Sequence, residues 1–354
     1  MGDGPSGKVV TRVFHRGWRG LTRSGRLLSV MTGDELRALA ESQGGVVLAA
    51  QAQALESGWT RARLRRVLTK EGWTRVRPGA WLLPGRPVGE REALWAHQLA
   101  HPAWVAGHWS AARLHGIVPR APRTEFIGEG AAPKDVVLRR LPLPAADVTV
   151  TAGGLRTTTV ARTLADLLRA GPRDEVLVAV DAALGWRHRC EVEERAGPGG
   201  PVPSGRRGPP LTTVDAVGRA LTTAPELRGA SRAAWWLALA DPKAGSPAET
   251  IARLRMHDAG LYPETQVMLV VPTTGRRVYP DFLFREAGLV VETEGYAWHG
   301  SRAQHQRDVE RFNDLAACPE VGSILRFTAR DVFDRPDVMI RDIRAALSRG
   351  RGRG

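Results

Sequence analysis

Apolar residues recur at helical spacing near the start of this chain, form short runs at strand spacing further on, and return to helical spacing at its end. Leu36, Leu39 and Ala40 share one face of a helix that the capping box Thr32–Glu35 opens and Gly44-Gly45 closes. A short second helix is expected over 49–56. Thr60 then caps a third, in which Leu64, Val67 and Leu68 recur at i, i+3, i+4. After Gly72, "WTRVR" and "AWLLP" read as short strands joined at Pro78-Gly79 as a hairpin. Towards the C-terminus, Ser246, Pro247 and Glu249 start a helix carrying Ile251 and Leu254. "TQVMLVV", "RRVYPDFLF" and "GLVVETEG" then read as three strands. A turn near Ala287 makes the last two a hairpin, which brings Asp281 within about one register step of Glu292. A helix over "SRAQHQRDVERFNDLAA", a strand over "SILRFT" and a closing helix over "RPDVMIRDIRAAL" complete the order.

The 354 residues suffice for two or three domains, and an apolar content of 43% marks globular material. Residues 1–31 are basic and glycine-punctuated without helical period, which reads as a disordered or spurious extension, with Met31 as an alternative start. They lack the apolar stretch of a signal peptide. The pattern divides the rest into 32–90, a middle of 91–196, a Gly/Pro-rich linker with a connecting helix over 197–245, a C-terminal domain of 246–348 and an Arg/Gly tail of 349–354. Cys190 and Cys318 stand far apart and suggest neither a disulfide framework nor a zinc site, so a reducing cytoplasm is expected. No run of about 18 apolar residues occurs, so no membrane span is expected.

Charge narrows the class. Lys and Arg number 51 against 37 Asp and Glu, a net charge of +14, which points to a polyanion and above all to DNA. An Arg-rich composition from a GC-rich genome is the alternative source of that excess. The excess is concentrated around the third helix and the hairpin, where Arg61, Arg63, Arg65, Arg66, Lys70, Arg75 and Arg77 face a single Glu71. Three helices and a hairpin is the order of a winged helix-turn-helix, whose third helix suits the major groove and whose wing reaches phosphates. A solvated basic face on a protein-docking module is the alternative. The stretch "GGVVLAAQAQALESGWTRARLRRVLTKEGWTRVRPGAWLLPG" resembles the N-terminal domain of the AbiEi-type (type IV) antitoxins. Trp73, Val76, Gly79 and Trp81 fall in that family's "W-x-x-V-x-x-G-x-Y" pattern, with Trp81 in the tyrosine place. The resemblance implies DNA binding and leaves a cognate toxin unproven.

The middle continues this likeness more loosely through "GHWSAARLHGI" and "TTTVARTLADLLRAG" and reads as an α-rich scaffold. His108 and His115 lie two helical turns apart, but no Asp, Glu or Cys set accompanies them, so packing and capping roles are expected.

The stretch "VVETEGYAWHG" over 290–300 raises a different question. Leu289, Val290 and Val291 read as a buried strand, and Glu292 and Glu294 point to one face of it. Carboxylates beside an apolar strand are costly unless an arginine or a metal ion accompanies them. Helix, three-strand meander, helix, strand, helix is the core order of restriction-endonuclease-like nucleases. Residues 246–347 resemble the very-short-patch-repair-endonuclease-like proteins, in particular domain-of-unknown-function family 559 of the PD-(D/E)xK superfamily. Pro280-Asp281 matches its "PD", Glu292-Thr293-Glu294 its "(D/E)xK", and "QRDVERFNDLAA…ILRFT" its tail. The resemblance implies Mg²⁺ or Mn²⁺ held by Asp281, Glu292 and the Thr293 carbonyl, with Glu249 either a fourth acid or a simple capping residue. The superfamily's lysine is replaced by Glu294, which leaves His299 as general acid or base and Arg307 as charge stabiliser. Glu294 has a structural alternative, an ion pair with Arg307 or Arg311; Asp308 and Arg311 have another, a helical i, i+3 pair.

The sequence therefore predicts an α+β or α/β multidomain protein: a winged helix-turn-helix, an α-rich middle and a restriction-endonuclease-like α/β/α domain. The expected function is metal-dependent DNA cleavage in defence or repair, with a homodimer needed for concerted double-strand cutting. A non-catalytic antitoxin-type regulator with a decayed nuclease domain is the alternative, favoured by Glu294 and opposed by the retained Asp281/Glu292 pair.

Overall fold

The computed structural model describes residues 33–55, 60–118, 121, 123–185, 187–188, 207–223, 227–294 and 302–350, with backbone alone at 33, 55, 187–188, 207–208, 302–308 and 350. It is a mixed α/β protein with several small sheets. The first unit runs α1 (Gly33–Ser42), β1 (Val46–Leu48), α2 (Ala49–Leu55), α3 (Arg61–Lys70), β2 (Thr74–Arg77) and β3 (Ala80–Leu82). Thr60 caps α3 through its hydroxyl, which accepts from the Arg63 N–H at 3.2 Å. Leu64 and Leu68 point inward against Val47, Trp73 and Trp81. β2 and β3 pair antiparallel, and β1 adds on the far side of β3 in the order β1-β3-β2. β1 has no counterpart in the sequence reading, because three residues are too few to show alternation. Gly44 (φ +67°) must be glycine, since a Cβ would lie 2.3 Å from the Trp95 indole nitrogen.

The middle begins with α4 (Glu90–Ala100), β4 (Val105–Ala106), α5 (His108–Leu114), β5 (Thr124–Ile127), β6 (Val136–Arg139), β7 (Val148–Val150) and β8 (Arg156–Thr158). These strands form a mixed sheet in the order β6-β5-β4-β8-β7, which the expectation of an α-rich middle did not include. Strands of two to four residues broken by Pro and Gly leave no period to read. Trp95, Trp104, Phe126 and Leu155 fill the core beneath this sheet, and Val46, Ala80 and Leu82 of the first sheet join the same cluster.

Then come α6 (Val160–Ala170), α7 (Arg173–Leu184), the short pair β9 (Arg187–His188) and β10 (Arg207–Gly208), α8 (Val214–Thr222) and α9 (Ala230–Leu237). Most of the Gly/Pro linker falls outside the described residues. The segment expected to connect is core material: Val217, Leu221, Ala233 and Trp236 are buried with Leu164 and Val180.

The C-terminal unit comprises α10 (Pro247–Asp258), β11 (Glu264–Thr265), β12 (Leu269–Val270), β13 (Arg277–Val278), β14 (Phe282–Phe284), β15 (Leu289–Glu294), α11 (Arg302–Ala316), β16 (Ser323–Thr328), α12 (Ala329–Asp334) and α13 (Pro336–Gly350). Its main sheet is β11-β14-β15-β16, with β15 and β16 parallel and the other pairs antiparallel. Two of the three expected strands are each split. Gln266, at φ +47°, ends β11, and Pro280, which lacks an N–H for a ladder, separates β13 from β14. β12 and β13 then pair as a separate ribbon. Among the described residues no helix is long and apolar enough to cross a membrane.

A buried polar knot ties α10 to α7. Asp181 accepts from the Arg253 guanidinium at 2.8 Å, the Thr250 hydroxyl at 2.9 Å and the Asp241 N–H at 2.8 Å. Arg253 also donates to the Leu239 carbonyl at 2.5 Å. Truncating one partner strands a buried charge, which typically costs about 3–5 kcal/mol. Asp181→Ala is therefore expected to lower the stability read by urea unfolding by that amount. Asp174→Ala, which removes an outer ion pair to Arg255, should cost about 1 kcal/mol or less. Equal small losses in both would show that the knot does not hold the two units together.

Candidate functional site

Three carboxylates meet at the end of the β14/β15 pair. The register Phe282↔Val291 continues outward so that Asp281 faces Glu292, and the Asp281 N–H donates to Glu292 Oε1 at 3.1 Å. Both side chains are nearly sealed, at 7% and 2% exposure. Thr293 donates to Asp281 Oδ2 from its N–H (2.8 Å) and its hydroxyl (3.0 Å). Glu249 reaches the cluster from the first turn of α10. Its Oε2 accepts from the Gly245 N–H at 2.8 Å while the Ser246 hydroxyl caps the Glu249 N–H at 3.2 Å. Glu249 thus takes part in the hydrogen bonds that start α10.

Gln266, which sequence reading missed, connects the acids. Its Nε2 donates to Glu249 Oε2 at 3.1 Å and to Asp281 Oδ1 at 3.0 Å. Its left-handed backbone is uncommon for a non-glycine residue and marks a position held by its surroundings. Glutamine in the middle of an apparent strand carries no signal that could have found it.

The positive group beside Glu292 is an arginine. Arg311 of α11 grips Glu292 with two nitrogens, at 2.5 and 3.2 Å, and donates to the Tyr279 carbonyl at 2.9 Å. It stands 3.8 Å from Asp281. The Asp308 side chain, expected to pair with Arg311, lies outside the described residues. Glu294 is more exposed and pairs with Arg326 of β16, and among the described residues not with Arg311. His299 and the Arg307 side chain lie outside the described residues. Burial and then the neighbouring Asp281 charge push the Glu292 carboxyl up to about 7, outweighing Arg311. The same two causes raise Glu249.

Hard divalent cations take oxygen ligands, and carboxylates are the usual ones. Gln266 and Arg311 hold the carboxylates of this cluster by hydrogen bonds. Among the described residues no group of three or more His, Cys, Asp or Glu side chains is arranged to hold a metal ion.

On α3, Arg61, Arg63, Arg65, Arg66 and Lys70 are exposed, as is Arg75 on β2. Arg77 turns inward instead, donating to the Ala96 carbonyl at 3.5 Å and contacting His97 Nδ1 at 3.0 Å. Burial and then Arg77 push His97 down to about 4, so its ring is neutral and accepts that hydrogen bond. Arg77 thus anchors the hairpin to α4. His108 is buried, and the His115 ring meets the Thr158 carbonyl at 2.7 Å.

Because the folded state raises Glu292 above its ordinary value of 4.5, this group's contribution to stability is full below about 4.5 and is lost as pH rises to about 7. Unfolding followed across that window should show stability declining with pH more steeply in the wild type than in Glu292→Gln. Parallel curves would mean that Glu292 stays ionised throughout.

No protein-family model and no curated protein matches the chain. It is similar to the crystal structure of RV2827C protein from Mycobacterium tuberculosis, at 18% identity and a TM-score of 0.36, over 68% of this chain and 84% of that one. A likeness at that level carries no argument about fold or activity.

Proposed function

We propose that this chain is a DNA-binding protein whose C-terminal unit is a metal-dependent phosphodiesterase, nicking or cleaving DNA in defence or repair. The observation that carries the reading is the convergence of Glu249, Asp281 and Glu292, two of them raised by burial and by Asp281. Such a site is relieved by gaining positive charge. In this reading residues 246–348 form a restriction-endonuclease-like domain of the very-short-patch-repair type. Mg²⁺ or Mn²⁺, when bound, would activate water and neutralise the developing phosphorane charge. Asp281 and Glu292 are its ligands, with Glu249 and the Thr293 carbonyl in support, and Thr293 fixes the Asp281 carboxylate through two hydrogen bonds. Arg311, on the same side as the acids, is better placed than Glu294 to orient a phosphate, and it answers in part for the missing lysine.

Residues 32–90 form a winged helix-turn-helix of AbiEi type in this reading. α3 enters the major groove, and Arg75 contacts the backbone. Cytoplasmic residence and a homodimer fit the same picture.

A second reading draws on Arg311 itself. A bidentate arginine already neutralises Glu292, as expected of a decayed nuclease domain kept as structure in an antitoxin-type DNA-binding regulator.

Supercoiled plasmid incubated with Mg²⁺ or Mn²⁺ separates the two. The wild type is expected to nick it, and Asp281→Ala to lose about 100-fold or more of that rate. Equal nicking by both would refute the site assignment. No nicking by either, with DNA still bound, selects the regulator.

DNA binding should weaken steeply with salt. Replacing Arg65 and Arg66 together by Ala should reduce the slope of log K against log salt by about 1.8, or roughly 0.9 per lost phosphate contact. An unchanged slope would place the interface elsewhere.

A further inference from the structure

A cavity of about 570 Å³ opens in the middle unit, between the start of α5, the end of β6, the last turns of α6 and the start of α9. Its size is that of an ordinary small-molecule site. Its wall is unusually cationic: Arg139, Arg169, Arg228 and Arg232 line it with a single carboxylate, Asp166.

That carboxylate is already engaged. Asp166 accepts from Arg162 at 2.8 Å on one oxygen and from Arg169 at 3.2 Å on the other. Arg139 is paired with the buried Glu125 at 2.9 Å. No ion pair to a carboxylate is formed by Arg228 or Arg232 among the described residues. Arg232 is nevertheless held in place, donating to the Arg169 carbonyl at 2.5 Å with its guanidinium 4.6 Å from the Trp236 ring centre. Arg232 is thus positioned, Arg228 lies exposed beside it, and among the described residues neither has a carboxylate partner.

A second observation concerns His108. Only 2% exposed, it lines the same cavity, and among the described residues its Nδ1 has no hydrogen-bond partner. A buried polar atom left in that state costs about 1–3 kcal/mol. The residue also sits at φ +50°, a conformation that non-glycine residues seldom adopt. Burial, with Arg139 and Arg162 nearby, holds its ring down to about 3, so the ring is neutral, with one N–H and one lone pair. Beside it, α9 starts at Gly229, which supplies no side-chain cap to the helix N-terminus.

We infer that this cavity binds a small phosphomonoester. The phosphate would lie against Arg228, Arg232, His108 and the start of α9, and the organic part against Leu141 and Leu227. The guanidinium forks of Arg228 and Arg232, both at the start of α9, match the several oxygens of a tetrahedral phosphate. The size of the cavity favours a small molecule over nucleic acid. The site lies apart from the carboxylates of β14 and β15 and does not rest on the nuclease reading.

Titration calorimetry on the full chain tests it with ribose 5-phosphate, ribose, inorganic phosphate and a short oligonucleotide with or without a 5′-phosphate. Ribose 5-phosphate is expected to bind in the micromolar range and ribose not at all. Arg228→Glu, at an exposed position, and Arg232→Met should each weaken binding about tenfold or more. His108→Asn, which tolerates the left-handed backbone, should weaken it several-fold. Thermal unfolding identifies any variant that fails to fold, and Arg228→Glu alone suffices if Arg232→Met does. The proposal is overturned if ribose 5-phosphate does not bind, or if it binds equally to the folded variants. Inorganic phosphate binding as tightly as the ester would reduce the site to one for the free ion. A phosphorylated oligonucleotide binding far more tightly, in an Arg232-dependent way, would make it a nucleic-acid end site.

Discussion

Two carboxylates buried against each other set the terms for the C-terminal unit. Asp281 and Glu292 sit where the β14/β15 ladder ends, on backbones that the register forces together, so neither side chain can retreat to solvent. Each available donor nearby is recruited to offset them: the Asp281 and Thr293 N–H groups, the Thr293 hydroxyl, the Gln266 amide and the Arg311 guanidinium. Gln266 accepts an unfavourable backbone conformation to serve two acids at once. α11 is pinned to the sheet by Arg311, which spans Glu292 and the Tyr279 carbonyl. A hydrophobic solution would be simpler, since replacing buried ion pairs by packed apolar groups is often neutral or stabilising.

The same logic holds at the boundary between the middle and the C-terminal unit. One apolar cluster runs from α5 and α6 through α8 and α9 into α10, β15 and α13, and Asp181 and Arg253 lie within its reach. The C-terminal unit is therefore built onto the middle, not hung from it by a linker. The first unit joins the middle sheet in a similar way, with Val46 and Leu82 beside Trp95. Both joints rest on side-chain packing, which a reading of punctuation in the sequence cannot detect.

What was legible in the sequence was whatever local physics alone decides. The cap at Thr60, the inward Leu64 and Leu68, the start at Ser246 and the hairpin that sets Asp281 against Glu292 all follow from spacing and turn chemistry. The middle sheet was not legible, because its strands are too short to carry a period and pair across long separations. The acids of the candidate site were visible, and their partners were not. Arg311 sits on a helix whose charges suggested a local pair, and it is the long-range packing of α11 on the sheet that aims it at Glu292. Arg77 shows the reverse error: a basic residue in a basic run reads as surface, yet one contact with a neutral His97 commits it to the interior.

Placed side by side, the two unusual charge arrangements in this chain are opposite in sign and differ in how far they are answered. At β14 and β15 the excess is negative, and Arg311 meets most of it from within the fold. Any divalent cation there must compete with a guanidinium already bonded through two nitrogens, so affinity and activity both depend on how readily Arg311 yields. At the start of α9 the excess is positive, and the only carboxylate on the cavity wall is spent on Arg162 and Arg169. Among the described residues Arg228 and Arg232 have no carboxylate partner to displace. In the proposed reading, the carboxylate cluster would carry a built-in competitor for its cation. The arginine cavity has neither nucleophile nor charged acid to spare, which makes it a place for recognition and not for reaction.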